Sequence, residues 1–140
     1  MKLDYECVRN VLLALEDLCG YDENTSSGFK EILCQDIMCY ILDTSDFAYH
    51  SIDEIKYTVS KLQEGGFIVT DSIITECQPV KDDILYILNC KTEIFVKDIT
   101  YQGHELISTI RDPKFIRNIK SGIDGLPNSN IKAFLKMILH

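Results

Sequence analysis

The chain lacks several features that mark common functional classes. Its 140 residues include no tryptophan, only three prolines and three histidines, and fewer basic side chains (14) than acidic ones (22). No apolar run reaches the length of about 18 residues that a membrane-spanning helix needs, and no basic-then-apolar segment resembles a secretory signal. The shortage of lysine and arginine argues against a surface devoted to nucleic acid, because phosphate contacts depend on these residues. We therefore expect a cytoplasmic protein that makes no membrane contact.

Cysteine is plentiful, but its spacing is not that of a metal or redox site. The six thiols lie at positions 7, 19, 34, 39, 77 and 90. No two of them form the C-x-x-C pair that is typical of zinc ribbons and thioredoxin-like sites. Cys7, Cys19 and Cys34 fall among apolar residues, where a free cysteine behaves as a small hydrophobic side chain. We expect reduced structural thiols and no metal or cofactor, with a metal or disulfide role as the less favoured alternative.

Recognisable catalytic motifs are also missing. The sequence has no Walker loop, no G-x-S-x-G elbow and no glycine-rich dinucleotide fingerprint. His104-Glu105 begins like the zinc-protease motif H-E-x-x-H, but Ser108 stands where the second histidine ligand should be. A structural role in the first turn of a helix explains these two residues better. We therefore expect a protein that is not an enzyme and has no catalytic residues.

Apolar periodicity predicts a mainly helical α+β chain that forms one domain over residues 1–140. Helices are expected at 4–18, 29–42, 51–64, 100–110, from 113 to about 121, and at 131–139. Residues 39–42 could equally form a strand. Strands are expected at 67–69, 84–88 and 94–99, with an exposed loop over 76–83 and a turn over 89–93. Ser51 and Glu54 form a capping-box pattern, Thr100 can cap the helix that follows it, and 21–28 should be an exposed loop.

The order of these elements predicts a winged-helix-like architecture. Three helices precede a small antiparallel sheet, and no βαβ alternation suggests a parallel one. Residues 1–100 would form the winged-helix core, with an enlarged wing over 70–93, and residues 101–140 would add a C-terminal helical extension. The helix over 51–64 would then occupy the recognition position.

Four sequence blocks resemble a phage- and prophage-encoded family of uncharacterised proteins, classed as a domain of unknown function. They are Lys2-Leu3-Asp4-Tyr5-Glu6-Cys7-Val8-Arg9; Ser51-x-x-Glu54-Ile55-x-Tyr57 with Leu62-x-Glu64-Gly65-Gly66-Phe67-Ile68; Ile99-Thr100-Tyr101-x-Gly103-His104-Glu105-Leu106; and Ile110-Arg111-Asp112. The chain departs from the family's usual pattern at Thr58, where a histidine is common, and at Phe115, where a tryptophan is usual. The resemblance implies a small winged-helix-like protein from a mobile element. It implies structural roles for Tyr57, Gly65, Gly66, Gly103, His104 and Glu105.

The net charge of −8 is distributed unevenly along the chain. Residues 1–110 carry 8 basic and 20 acidic side chains, whereas residues 111–140 carry 6 basic and 2 acidic ones. The expected recognition helix has no arginine, although arginine on guanine is the commonest specific base contact. We expect an acidic surface that binds a protein partner, formed by Asp43, Asp46, Asp53, Glu54, Asp71, Glu76, Asp82 and Asp83. Solvated loop charge explains the aspartate pairs 43/46 and 82/83 better than metal binding does.

A basic row in the C-terminal part keeps DNA open as an alternative partner. Arg111, Lys114, Arg117 and Lys120 recur every three positions and could contact phosphates. A solvated helix face explains the same row and is slightly favoured. The leading hypothesis is a non-enzymatic protein-binding module, such as a counter-defence inhibitor of a host protein that handles nucleic acid. The alternative is a winged-helix transcriptional regulator with the basic row on phosphates.

The very apolar last helix raises the question of assembly. Ile131, Phe134, Leu135, Ile138 and Leu139 could complete the core, which we favour, or could pair with a second copy to form a homodimer.

Overall fold

Eight elements make up the described part of the chain. The computed structural model describes residues 1–44, 48–81, 86–112, 115, 123, 125–126 and 128–138, and describes only the backbone of 76–81 and 86–90. The elements are α1 (Tyr5–Leu18), β1 (Ile32–Leu33), α2 (Cys34–Thr44), α3 (Ile52–Glu64), β2 (Ile68–Lys81), β3 (Tyr86–Ile99), α4 (Tyr101–Ile110) and α5 (Ser129–Ile138). The architecture over these ranges is α+β and mainly helical, as predicted. No helix within them is long and apolar enough to cross a membrane.

Local capping signals position two of the helices, α3 and α4, as predicted. The Ser51 hydroxyl accepts a hydrogen bond from the Glu54 backbone N–H, and the Glu54 carboxylate accepts one from the Ser51 backbone N–H. This reciprocal arrangement satisfies two of the free donors at the start of α3. Thr100 caps α4 by accepting a hydrogen bond from the Gly103 N–H. Asp4 stands at the N-cap of α1 without a side-chain capping bond, so α1 depends on packing of its apolar face instead.

The second predicted helix begins five residues later than expected. Residues 29–33 are extended, because Phe29 bridges to Tyr21 and β1 pairs with Phe95 and Val96 of β3. Asp36 accepts a hydrogen bond from the Leu33 N–H and so helps α2 to begin at Cys34. The alternative of a strand over residues 39–42 was wrong, since these residues lie within α2.

The sheet is a long hairpin with a short third strand, in the order β1-β3-β2, and all pairing is antiparallel. The predicted loop over 76–83 was wrong for residues 76–81, and the predicted turn over 89–93 was also wrong. Both stretches lie in the ladder, which pairs position 77 with 90 and position 79 with 88. Pro79 is tolerated there because β2 is an edge strand, whose outer N–H groups have no ladder partner to lose.

Both ends of the chain contribute to one apolar core. Its fully buried members include Leu12 and Leu15 of α1, Ile55 and Leu62 of α3, and Phe67. The apolar face of α5 is buried in the same cluster through Ile131, Phe134, Leu135 and Ile138. The expectation that this helix completes the core is therefore confirmed for these four residues. Leu139 and most of the helix predicted from Pro113 lie outside the described residues.

The glycine-containing blocks of the sequence meet at one junction between the base of the hairpin and α4. Gly66 adopts a positive φ of 77°, a conformation that favours glycine. The Thr100 hydroxyl donates to the Gly66 carbonyl over 2.7 Å, and the Thr100 N–H donates to the Phe67 carbonyl over 3.0 Å. A Cβ added at Gly103 would lie 2.0 Å from the Phe67 carbonyl oxygen. Only glycine allows α4 to approach the strand this closely.

Candidate functional site

The surface around α3 was the place predicted for partner recognition. On this helix, Asp53 and Lys56 are exposed, whereas Ile55, Thr58 and Val59 are buried. Tyr57 is half-buried, and the Lys61 ammonium lies 5.5 Å from its ring centroid. The exposed part of α3 therefore offers one acidic and one basic side chain near its start and no arginine.

Two other cations close to α3 and the hairpin are paired with carboxylates. Lys61 lies 3.1 Å from Glu64, and Lys97 lies 3.1 Å from Asp71. The pKa of Lys61 is raised by its hydrogen bond to Glu64. The pKa of Asp71 is lowered, first by the Ser72 backbone N–H and then by Lys97. Lys61 and Lys97 would each have to leave a carboxylate before contacting a phosphate, whereas Lys56 is exposed on α3.

The predicted acidic set does not form a single cluster in the described part of the chain. Asp43 is exposed near the end of α2, Asp53 on α3 and Asp71 on β2. The Glu54 carboxylate serves the cap of α3 and faces His50. Glu76 belongs to β2, but its side chain is not described, and Asp46, Asp82 and Asp83 lie outside the described residues.

The predicted basic row is visible only at its first member. The Arg111 guanidinium pairs with the Glu16 carboxylate of α1, and the Arg111 carbonyl accepts a hydrogen bond from Arg9 over 3.2 Å. Arg111 therefore joins the end of α4 to α1. Lys114, Arg117 and Lys120 lie outside the described residues.

A groove separates the hairpin from the starts of α2 and α3. It encloses a cavity of about 220 Å³, lined by residues of β1, α2, α3 and β3, with Lys56 and Glu93 among them. Ile94 lines this cavity and is 49% exposed, and Ile74 on the neighbouring strand is 66% exposed. Since Ile94 is paired with Ser72, Ile74 lies on the same face of the hairpin, diagonal to Ile94. The groove thus continues into an exposed apolar patch.

A buried polar cluster joins α1 to the start of α3. One ligand-type atom from each of Cys7, His50 and Glu54 lies within 4.8 Å of the other two. The His50 Nδ1 and the Glu54 Oε2 are 3.9 Å apart. Asn10 Nδ2 lies 3.0 Å from the His50 Nε2. Asn10 and His50 are each 7% exposed, so their mutual hydrogen bond satisfies groups that have little access to water.

The thiol of this cluster is held in a low-dielectric environment. Burial raises the pKa of Cys7 to about 11, although the Thr58 hydrogen bond opposes the shift, and Glu54 and Asp4 add to it. The Thr58 hydroxyl lies 3.3 Å from the Cys7 Sγ and 2.8 Å from the Glu54 carbonyl. Sequence spacing did not indicate this cluster, because position 7 is far from positions 50 and 54. Its only local signal is that His50 and Glu54 are four residues apart at the start of a helix.

His104 and Glu105 have separate positions, and no second histidine joins them among the described residues. His104 is exposed on α4. Glu105 accepts a hydrogen bond from Asn128 over 2.8 Å, and Asn128 in turn accepts hydrogen bonds from the backbone N–H groups of Asn130 and Ile131. Glu105 therefore positions the residue that caps α5.

The comparisons with known proteins agree with the sequence resemblance at the level of the family. The model of the family described as "Hypothetical protein (DUF2513)" matches residues 2–125. No curated protein and no solved structure matches the chain. Since the matched segment begins before α1 and extends past α4, it includes every strand and all the residues of the α3–α4 junction. The chain belongs to the DUF2513 family, a domain family of unknown function.

Proposed function

We propose that the chain is a non-enzymatic, winged-helix-like protein of phage or prophage type that binds a basic protein partner. The partner would itself handle nucleic acid, so that the chain acts as a counter-defence inhibitor. The supporting observation is that three cations on α3, on the hairpin and at the end of α4 are already neutralised, which leaves Lys56 as the exposed cation of α3. Lys61, Lys97 and Arg111 are each paired with a carboxylate of the same chain.

Charge pairing argues for protein over DNA because each phosphate contact needs an available cation. Non-specific affinity for duplex DNA comes from lysine and arginine that displace counterions. A cation already held by Glu64, Asp71 or Glu16 must first break that pair. Asp43 and Asp53, in contrast, are exposed and have no ion-pair partner within the described ranges. Such carboxylates attract a basic partner and increase its rate of association at low salt.

The apolar groove provides the desolvated contact area that charged residues alone do not provide. Protein interfaces depend on a few apolar or aromatic residues at a desolvated centre, surrounded by a polar rim. Ile94 and Ile74 provide exposed apolar surface beside the 220 Å³ cavity, and Tyr49, just before α3, is 68% exposed. We therefore place the centre of the interface at this groove, with Asp53 on its rim.

The test compares two variants of equal charge. Asp43→Asn combined with Asp53→Asn removes two exposed charges of the predicted acidic set, and Glu6→Gln combined with Glu23→Gln removes two exposed charges outside that set. The wild-type chain captures a partner from a host lysate at low salt, and calorimetry then measures the affinity of the purified pair. Since an exposed charge contributes about 0.2–1 kcal/mol, the first variant should bind about 2- to 30-fold more weakly and the control should bind like wild type.

DNA binding is the alternative outcome of the same study. A gel-shift series with a short duplex at low salt should show no complex with the wild-type chain. A complex whose affinity falls steeply with salt and is weakened by Arg111→Ala would replace the protein-partner proposal with a DNA-binding regulator. Equal loss of affinity in both charge variants would instead show that net charge, not this surface, controls the contact.

A further inference from the structure

The buried cluster between α1 and α3 has the composition of a metal site. We propose that the Cys7 thiolate, a ring nitrogen of His50 and a carboxylate oxygen of Glu54 bind one divalent transition-metal ion, with zinc as the best match. The three ligand-type atoms already lie within 4.8 Å of one another. Cys7 and His50 are buried, whereas the Glu54 side chain is 42% exposed. The ion would therefore lie between α1 and the start of α3, with the partly exposed Glu54 on its solvent side.

The chemistry of the three ligand atoms determines which metal ion fits the site best. Thiolate and imidazole are typical zinc ligands, and carboxylate oxygen completes many zinc sites that have three protein ligands. Calcium and magnesium prefer oxygen alone, so this set disfavours them. One thiolate and one carboxylate balance the charge of a divalent cation. A neutral assembly of this kind offsets the cost of ionising a thiol away from water.

The observed separations must shorten, by at most about 1.4 Å, to hold such an ion. In a tetrahedral zinc site with ordinary bond lengths, neighbouring ligand atoms are about 3.4–3.6 Å apart. The His50 Nδ1 and Glu54 Oε2 are 3.9 Å apart, and one ring nitrogen of His50, one carboxylate oxygen of Glu54 and the Cys7 Sγ lie within 4.8 Å of one another. Rotations about the side-chain bonds of all three ligands would supply this movement.

Neighbouring side chains hold two of the ligands in position. Ser51 engages the Oε1 atom of Glu54 through its backbone N–H and its hydroxyl, at 3.4 and 3.2 Å, which leaves Oε2 facing His50. Asn10 engages the Nε2 atom of His50, which leaves Nδ1 for the ion. With a metal on Nδ1, the Nε2–H would donate to the Asn10 carbonyl oxygen after a half-turn of that amide. Such outer contacts are typical of metal-binding histidines and fix the ring orientation.

Three protein ligands leave a fourth tetrahedral position. The exposed side of Glu54 opens this position to solvent, so a water molecule can complete the coordination. The ion would join the first helix to the start of the third, two elements that otherwise meet mainly through apolar packing. Metal binding would then stabilise the α1–α3 contact, because only the folded chain brings the three ligands together.

Cobalt provides the direct test, since a cobalt–thiolate bond has a charge-transfer absorption band. The full untagged chain, reduced and treated with a chelator, is titrated with Co²⁺ and then with Zn²⁺. We expect one ion per chain, a charge-transfer band, and loss of that band when zinc displaces cobalt. Cys7→Ser should abolish the band. His50→Gln and Glu54→Gln should each raise the Kd at least about tenfold. Cys39→Ser and His104→Gln are the matched controls and should bind like wild type.

Glu54→Gln keeps the proposal testable if the buried substitutions unfold the chain. Glutamine at this position still supports the capping box, and circular dichroism confirms that the variant is folded. Free zinc at about 100 times the wild-type Kd should raise the wild-type Tm by roughly 6–12 °C, and at the same zinc concentration Glu54→Gln should lose about half of this increase or more. The proposal is wrong if no cobalt–thiolate band forms, or if the band survives Cys7→Ser, or if the two controls lose affinity as much as the ligand variants.

Discussion

Gly103→Ala should destabilise the protein strongly, although alanine is the better helix former. The added Cβ would lie 2.0 Å from the Phe67 carbonyl oxygen and 2.5 Å from the Ile99 Cγ2. The first contact is with backbone, so no side-chain rotation can relieve it. Helix α4 must instead move away from the strand by about 1 Å or more to reach an ordinary van der Waals separation.

The expected cost follows from what that movement breaks. Forced overpacking costs about 1–3 kcal/mol. Moving α4 also lengthens the hydrogen bonds from Thr100 to the Gly66 and Phe67 carbonyls, now 2.7 and 3.0 Å, each contributing about 1 kcal/mol. The better helix propensity of alanine offsets about 1 kcal/mol of this loss in the free energy of unfolding. We expect Gly103→Ala to lower the free energy of unfolding by about 2–4 kcal/mol.

Urea denaturation followed by circular dichroism measures this difference. Gly20→Ala is the matched control, because its Cβ would have only the Lys30 Cε as a neighbour, at 4.0 Å. The control should leave the free energy of unfolding unchanged or raise it by up to about 1 kcal/mol. If Gly103→Ala were as stable as Gly20→Ala, the close approach of α4 to the Phe67 carbonyl would not exist in solution.

Three further predictions test a helix cap, a core contact and the reactivity of a buried thiol. Thr100→Ala should lower the free energy of unfolding by about 1–3 kcal/mol, because it removes both a helix cap and the hydrogen bond to the Gly66 carbonyl. Thr100→Ser keeps the hydroxyl and should retain most of that stability. Urea denaturation compares the two variants. Phe134→Ala should lower the free energy of unfolding by about 3–5 kcal/mol, because Phe134 packs on Phe67 with ring centroids 4.8 Å apart. Met137→Ala, at a position 50% exposed, is the control and should be nearly neutral. Equal effects of the two substitutions would contradict the assigned face of α5. Burial raises the pKa of Cys19 to about 11, so its thiol stays protonated at about pH 8 and should be alkylated much more slowly than the exposed Cys39. Mass spectrometry of partly alkylated protein checks the order, and faster reaction of Cys19 would refute it.

The elements predicted well are those whose signals lie within a few residues. Ser51 and Glu54 are three positions apart, and the same two side chains make the capping box in the structure. Thr100 likewise caps α4 through a residue three positions away. A cap is a local bond, so sequence spacing alone is enough to predict it.

The length of the hairpin strands was underestimated because the contacts that stabilise them are not local. Proline and neighbouring charges around position 79 are ordinary signals of a loop. In the structure the two strands pair for most of their length, and each backbone bond is made by a partner on the other strand. Pairing of this kind overrides local turn preference, and nothing in a short window of sequence reports it.

The buried cluster shows the same limit for a site. Cys7 was predicted to be a small apolar core residue, and its burial agrees with that. Its neighbour His50 lies just before α3 and Glu54 lies in the first turn of α3, so no motif with fixed spacing could join them to Cys7. Sites made by tertiary packing become visible only when the helices are placed together.

The contact between Phe67 and Phe134 also sets an order of events during synthesis. The partner of Phe67 is made 67 residues later, which takes about 3–13 seconds at typical rates of translation. From the synthesis of Ile99 onward, the nascent chain has its first three helices and its hairpin but still lacks the ring that packs on Phe67. The ribosome therefore releases an apolar surface before the helix that closes it, and a chaperone that recognises such surfaces would have time to bind this chain first.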